Sequence, residues 1–126
     1  EAPLMVKLVF CLRRRADLSA EEFHRYWRDE HGPLVARQAA SLGIRRYVQL
    51  HTVDGAVNEA LAGTRGTPEA FDGVAELWFD DTEALVAAAA SDEGRAAAAL
   101  LADDEKRFID HDRSPLFVAE EHAVIA

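Results

Sequence analysis

The stretch Phe23-His24-Arg25-Tyr26-Trp27-Arg28-Asp29-Glu30-His31-Gly32-Pro33-Leu34 constrains the fold of this chain more than any other segment. Ser19 and Glu22, just before it, have the S-x-x-E spacing of a capping box, in which each side chain satisfies a backbone donor left orphaned at a helix start. A helix therefore begins near residue 20. Phe23, Tyr26, Trp27 and Leu34 then recur at helical spacing and form one apolar stripe that needs a layer to pack on. Gly32 and Pro33 are expected to break the segment, Pro33 being suited to the first turn of a following piece. His31 is thereby expected at a helix C-terminal end, where the dipole favours a cationic imidazole, beside a large apolar wall.

Around this helix the chain alternates. Residues 5–13 read as a strand with Val6, Leu8, Phe10 and Leu12 on one face. Helix one covers roughly 20–41, and Gly43 stops it. Residues 44–53 read as a second strand, with Val48 and Leu50 on one face and Tyr47, Gln49 and His51 on the other. Residues 54–71, rich in Gly, Thr, Ala and Pro, read as a long connection able to fold over a site or to stay mobile. A third strand runs over about 73–80. Asp80, Asp81 and Glu83 cap the next helix, and Ser91 opens an alanine-rich helix to about Phe108. A strand over about 116–125 ends the chain. The order is β-α-β-β-α-β, an α+β, ferredoxin-like plan.

Length and charge bound the function. With 126 residues, 49% of them hydrophobic, the chain is expected to form a single domain over 5–126, with residues 1–4 a remnant ahead of Met5. A net charge of −9 argues against a nucleic-acid partner. Arg13-Arg14-Arg15 is short enough to be a solvated strand end. No apolar run nears the roughly 18 residues a membrane helix needs, and no secretory leader opens the chain. Cys11, the lone cysteine, reads as a buried small hydrophobe in a reducing, cytoplasmic setting.

The chain resembles the EthD family of dimeric α/β-barrel proteins over nearly its whole length. The matching pieces are Phe23-x-x-x-Trp27-x-x-x-His31-Gly32-Pro33-Leu34 and Arg46-Tyr47-Val48-Gln49-x-His51. They continue with Phe71-Asp72-Gly73-Val74-Ala75-Glu76-Leu77-Trp78-Phe79, Asp104-Glu105-x-x-Phe108-Ile109-Asp110 and Glu120-Glu121-His122. The resemblance implies a homodimer in which two sheets pack face to face into a barrel. A sheet with helices on one side only leaves a face that self-association covers. It also implies a ligand between the helices and the helix-facing side of the sheet.

His31 and His51 are the candidate catalytic pair, because imidazole both takes and gives protons near neutrality. Tyr47 and Gln49 share His51's strand face and are candidates to orient a substrate carbonyl or phenol. For His31 the plain alternative is a cap at the helix break, and for His51 a satisfied strand histidine. Trp27, with Phe23, belongs to the core or to a ligand wall. Glu76 and Trp78 share a face of strand three that meets either the pocket or the dimer core; a buried Glu76 would need a partner or a raised pKa. His24 and His111 read as solvent-facing, and Glu120, Glu121 and His122 as pinning the last strand at the dimer interface.

Several chemistries lack their signatures. There is no glycine-rich phosphate loop and no nucleophile elbow. No pair of histidines four apart marks a metal site, and one cysteine does not make a thiolate zinc site. Neither metal nor cofactor is expected; haem is disfavoured because an axial histidine alone is a weak signal. The reading is a cofactor-independent lyase or isomerase acting on a small aromatic, polyketide or lactone-like molecule. The alternatives are a non-catalytic binding or accessory protein and a cofactor-free oxygenase of a polyketide-type aromatic.

Overall fold

The computed structural model describes residues 5–126; the expected remnant at 1–4 lies outside the described residues. Strand β1 (Val6–Leu12) leads to helix α1 (Ala20–Tyr26), a π-helical turn (Trp27–His31) and helix α2 (Gly32–Leu42). Strand β2 (Arg46–His51), helix α3 (Ala56–Arg65) and strand β3 (Gly73–Phe79) follow. Helices α4 (Thr82–Ala90) and α5 (Asp92–Glu105), a short 3-10 turn (His111–Arg113) and strand β4 (Leu116–Glu120) complete the chain. The sheet has four strands in the order β2-β3-β1-β4, all neighbours antiparallel. This is the ferredoxin-like βαββαβ plan with two additional helices, α3 between β2 and β3 and a second helix in the last crossover.

The capping box forms with both its bonds: Glu22 N–H donates to Ser19 Oγ at 3.0 Å and Ser19 N–H to Glu22 Oε1 at 2.9 Å. Gly43 ends α2 in the left-handed conformation. Gly32 and Pro33, however, do not break the helix. Pro33 has no N–H to give to the carbonyl four residues back, so the ladder is already open there, and a widened turn absorbs the gap. Gly32 N–H donates instead to the Trp27 carbonyl, five residues back. His31 therefore sits mid-helix and not at a C-terminal end, and the dipole stabilisation expected for it does not apply.

The π turn also re-phases the buried stripe. Phe23, Trp27, His31 and Val35 are four residues apart, and all are buried. In an uninterrupted α-helix each step of four would rotate about 40° off the face, and the wider turn offsets that drift. Tyr26 and Leu34, expected on the stripe, are half-buried instead.

Alternation sorts the sheet cleanly. Leu8, Phe10 and Leu12 of β1, Tyr47 of β2 and Ala75, Leu77 and Phe79 of β3 face the helices. Phe10, Leu12, Phe23, Trp27, Ala75, Phe108 and Ile109 form the main core cluster. Gly73 is required there: a Cβ would lie 2.5 Å from Trp27 Cζ3 and 2.8 Å from the Leu50 carbonyl. On the opposite face Trp78 lies between two cations, Lys7 Nζ at 4.4 Å and Arg46 Cζ at 4.5 Å from its ring centre. Lys7 also pairs with Glu76 at 3.5 Å and Glu121 at 3.4 Å, the latter tethering the residue after β4.

Other expectations need correction. The segment 54–71 is not structureless, because Ala56–Arg65 forms a helix in spite of the glycines around it. The last strand stops at Glu120, where its pairing with Val6 ends. Cys11 is half-buried on the open sheet face, and burial raises its thiol pKa. The arginine run is anchored as well as solvated. Arg13 donates to the Glu69 and Ala70 carbonyls and covers Phe71, and Arg14 pairs with Asp72 at 3.1 Å, fixing the approach to β3.

Candidate functional site

Between the helix-facing side of the sheet and α2, α4 and α5 lies a largely apolar cavity of about 490 Å³. Its room comes from the alanine-rich second half: Ala75, Ala89 and Ala98 line it where larger side chains would close it. Ala89 and Ala98 are also exposed, so they stand where the cavity meets solvent. The polar groups on its wall are His31, Tyr47, Glu105, His111 and Ser114.

His31 is 4% exposed. Its Nδ1 lies 2.7 Å from Asp104 Oδ2, and the Tyr26 hydroxyl donates to Asp104 Oδ1 at 2.7 Å. Arg107 Nε approaches the same carboxylate oxygen at 3.5 Å. Tyr26 donates to Oδ1 and leaves Oδ2 to accept from His31, which places the ring hydrogen of the neutral tautomer on Nδ1. Nε2, with no protein partner among the described residues, is then a lone pair at the cavity wall. Burial, reinforced by the Asp104 hydrogen bond, pushes the Tyr26 phenol up to about 12. Phe108 packs against His31 with ring centres 4.9 Å apart.

The adjacent Glu105 holds a second histidine, with His111 Nε2 2.9 Å from Glu105 Oε1. His111 was expected to be an unspecific surface residue, yet it lines the cavity at its rim and stacks parallel to Phe10 at 6.5 Å. His24 also departs from expectation. It is half-buried, and its Nδ1 lies 2.7 Å from His51 Nδ1.

His51 does not line the cavity with His31. Its ring stacks on Trp27 at 4.5 Å, and its Nε2 lies 2.7 Å from Gln49 Oε1. Gln49 Nε2 donates to the Trp27 carbonyl at 3.0 Å and to the Tyr47 hydroxyl oxygen at 2.8 Å. Tyr47 is the member of this group that reaches the cavity. Burial raises its phenol pKa, while donors from Gln49 and the Trp27 side chain act in the opposite direction. Burial likewise lowers the pKa of both His24 and His51.

Of the sequence candidates, the structure brings His31, Trp27 and Tyr47 to one cavity and places Gln49 and His51 directly behind Tyr47. Glu76 and Trp78 lie on the other face of the sheet, because side chains alternate along β3, and neither can contact a ligand in this cavity. The 54–71 segment, α3 included, contributes nothing to its lining. Sequence reasoning missed Asp104, Glu105, Tyr26, His24 and His111 as site residues. One signal was available: Asp103, Asp104 and Glu105 end α5 with no basic residue in the last turn. Acids there oppose the helix dipole, and such a local conflict marks a functional position. Among the described residues, no group of three or more His, Cys, Asp and Glu is placed to hold a metal ion. No helix among the described residues is long and apolar enough to cross a membrane.

The family described as the EthD domain matches residues 15–112. Solved structures share the fold. An EthD family protein from Bacillus halodurans C-125 is 24% identical with a TM-score of 0.63, over 94% of this chain and 100% of that one. A dimeric protein of ferredoxin-like fold from Bacteroides fragilis NCTC 9343 is 15% identical with a TM-score of 0.59, over 93% and 96%. SnoaB, a cofactor-independent oxygenase from Streptomyces nogalater, is 16% identical with a TM-score of 0.53, over 97% of each chain. No curated protein matches the chain.

Proposed function

The chain belongs to the EthD domain family, and from that premise we propose a cofactor-independent lyase or isomerase that moves protons on a small aromatic, polyketide or lactone-like molecule. One observation carries the reading: a buried histidine, oriented by a carboxylate, presents a free ring nitrogen to an apolar cavity. His31 Nε2 takes a proton from a carbon beside a carbonyl, and the C–H electron pair moves onto the carbonyl oxygen as an enolate. Asp104 stabilises the imidazolium that results. Return of the proton to a different carbon isomerises the substrate; loss of a β-hydroxyl, protonated as it leaves, dehydrates it. Tyr47, on the same wall, orients the oxygen. The cavity's apolar lining suits a ligand without charge.

The test uses β-tetralone, a bicyclic ketone with acidic α-protons, in D2O with exchange followed by NMR. The protein should accelerate exchange, His31→Ala should remove the acceleration, and Glu59→Gln on the far helix α3 should keep it. Equal acceleration by His31→Ala would move the base elsewhere on the cavity wall, and no acceleration by the unaltered protein would replace the enzyme reading with that of a binding or accessory protein. A second reading draws on SnoaB: an enolate formed by the same step could reduce oxygen directly. Oxygen uptake with an oxidisable polyketide-type phenol, such as anthrone, separates the two.

A homodimer is part of the proposal. The open sheet face carries Leu50 and Phe117, 47% and 51% exposed, and the Bacteroides neighbour of this fold is dimeric. Light scattering should give about twice the 13.9 kDa chain mass; a stable monomer at micromolar concentration would exclude it. The lone Cys11 supports a cytoplasmic setting.

A further inference from the structure

The Trp27 carbonyl is a pure acceptor, and the π turn presents it, already bonded to Gly32 N–H, to the side chain of Gln49. Whatever Gln49 atom faces it at 3.0 Å must therefore be the amide nitrogen, because two acceptors at that distance repel. This single contact removes the usual ambiguity of an amide side chain. The same nitrogen gives its second hydrogen to Tyr47, so Tyr47 accepts through its oxygen. Gln49 Oε1 then faces His51 Nε2 at 2.7 Å, which must carry hydrogen. Neutral His51 is left with a lone pair on Nδ1, and His24 Nδ1, 2.7 Å away, must be the donor there. Every proton in the row follows from the orientation of one backbone carbonyl.

We infer that this row, His24 to His51 to Gln49 to Tyr47, makes the Tyr47 hydroxyl a donor toward the cavity, so that the ligand presents an acceptor oxygen to it: a ketone, a lactone carbonyl or the enolate derived from either. Since Gln49 donates to the phenol oxygen, the phenol hydrogen cannot point back along the row. It points to the cavity, the side Tyr47 shares with His31. A growing enolate charge strengthens such a bond, so the same hydroxyl favours the charged state over the ketone. His24 and His51 touch no ligand. They are positioning residues, and His24 holds the outer end of the row, where Phe23 and His51 pack against its ring at 5.3 and 4.7 Å. The lowered pKa of His51 agrees with a row that requires its ring to be neutral, since a hydrogen on His51 Nδ1 would face the Nδ1–H of His24 at 2.7 Å. The inference rests on the proposed function for the choice of cavity.

The experiment has two readouts, neither of which needs turnover. Long-range 1H–15N NMR on the whole protein at pH 7.5 reports imidazole tautomers. His51 should be protonated on Nε2 and His24 on Nδ1; the reverse pair would overturn the proposal. Binding of 2-acetonaphthone, an acceptor, is then compared with 2-isopropylnaphthalene, its near-isostere without the oxygen, and with 2-naphthol. The ketone should bind about tenfold more tightly than the hydrocarbon, the worth of one good hydrogen bond. Tyr47→Phe should abolish that preference. His24→Phe should reduce it severalfold and blur the His51 tautomer, while His24→Gln, which keeps a donor N–H, should restore both. A ketone preference unchanged in Tyr47→Phe, or a preference for the naphthol, would overturn the donor assignment. If β-tetralone exchange fails while the ketone preference and tautomers hold, the proton-transfer reading falls and the row stands.

Discussion

A Cβ on Gly32 would stand 3.1 Å from the amide nitrogen of Gln49, so the glycine leaves the space through which Gln49 reaches the Trp27 carbonyl. Gly32 has ordinary helical backbone angles, so its role here is spatial and not conformational. Gly32→Ala therefore sets two effects of similar size against each other. Alanine gains about 1 kcal/mol of helix propensity; displacing the amide weakens hydrogen bonds worth about 1 kcal/mol each. Thermal stability should change little while the His51 nitrogen signals shift. A large loss of stability with unchanged His51 signals would contradict this.

Gly73→Ala should behave differently, because its Cβ would meet the Trp27 ring and the Leu50 backbone below 3 Å. Overpacking of this kind costs about 1–3 kcal/mol or more, and a denaturation curve should show it. An unchanged midpoint would mean that Trp27 is less firmly seated than its 1% exposure indicates.

Asp104 is the group whose loss should separate orientation from structure. In Asp104→Asn the amide could face His31 Nδ1 with hydrogens, forcing the ring proton onto Nε2 and removing the lone pair from the cavity. Exchange of β-tetralone should fall by about 10²–10⁴-fold, with a stability cost of about 1–3 kcal/mol from the disturbed Tyr26 and His31 bonds. Tyr26→Phe should retain most of the exchange, since Asp104 still holds His31. Full activity in Asp104→Asn would transfer the base role elsewhere on the cavity wall, first to His111 with Glu105.

Much of this arrangement was legible in the sequence, and the failures have definite causes. The period-two pattern of Tyr47, Gln49 and His51 assigned their common face correctly, because a strand leaves no other choice. The Ser19–Glu22 box and the Gly43 stop are local devices and formed as expected. Gly32-Pro33 misled because a π turn and a helix break share the same local signature, and only the Trp27 carbonyl's distant partner on β2 distinguishes them. Residues 56–65 misled because flanking glycines masked an ordinary run of helix formers. Asp104 lies 73 residues from His31 along the chain, with Glu105 next to it, and no periodicity connects positions so far apart. The face of Glu76 and Trp78 depended on register against β1, which pairs Val9 with Glu76 and Lys7 with Trp78.

Acidification should destabilise the protein through His24 and His51. Burial is the first cause holding both below the ordinary value of 6.5. Around His24, Asp72 and Asp54 oppose that effect and Arg28 and Arg14 add to it; around His51, His24 and Arg28 add to it. A histidine with a lower pKa folded than unfolded binds fewer protons in the native state, so its contribution is intact above about 6.5 and is lost as pH falls below it. The melting temperature should drop from pH 7 to pH 5, and His24→Gln with His51→Gln should flatten that drop. A flat profile in the unaltered protein would mean that neither ring resists protonation.

The cavity mouth offers the last prediction. Ala98 on α5 lines the cavity and is exposed, so a larger side chain there projects partly into solvent and need not strain the core. Ala98→Phe should narrow the opening without touching His31, Tyr47 or the row behind it. Exposed substitutions usually move stability by no more than about 0.5 kcal/mol, so the melting temperature should hold. Affinity for 2-acetonaphthone should fall, mostly through slower association, while the His51 tautomer remains that of the unaltered protein. Smaller ketones such as cyclohexanone should lose less. If Ala98→Phe binds 2-acetonaphthone as fast and as tightly as the unaltered chain, ligands do not enter between α4 and α5, and the site must be reached from the rim formed by His111 and Glu105.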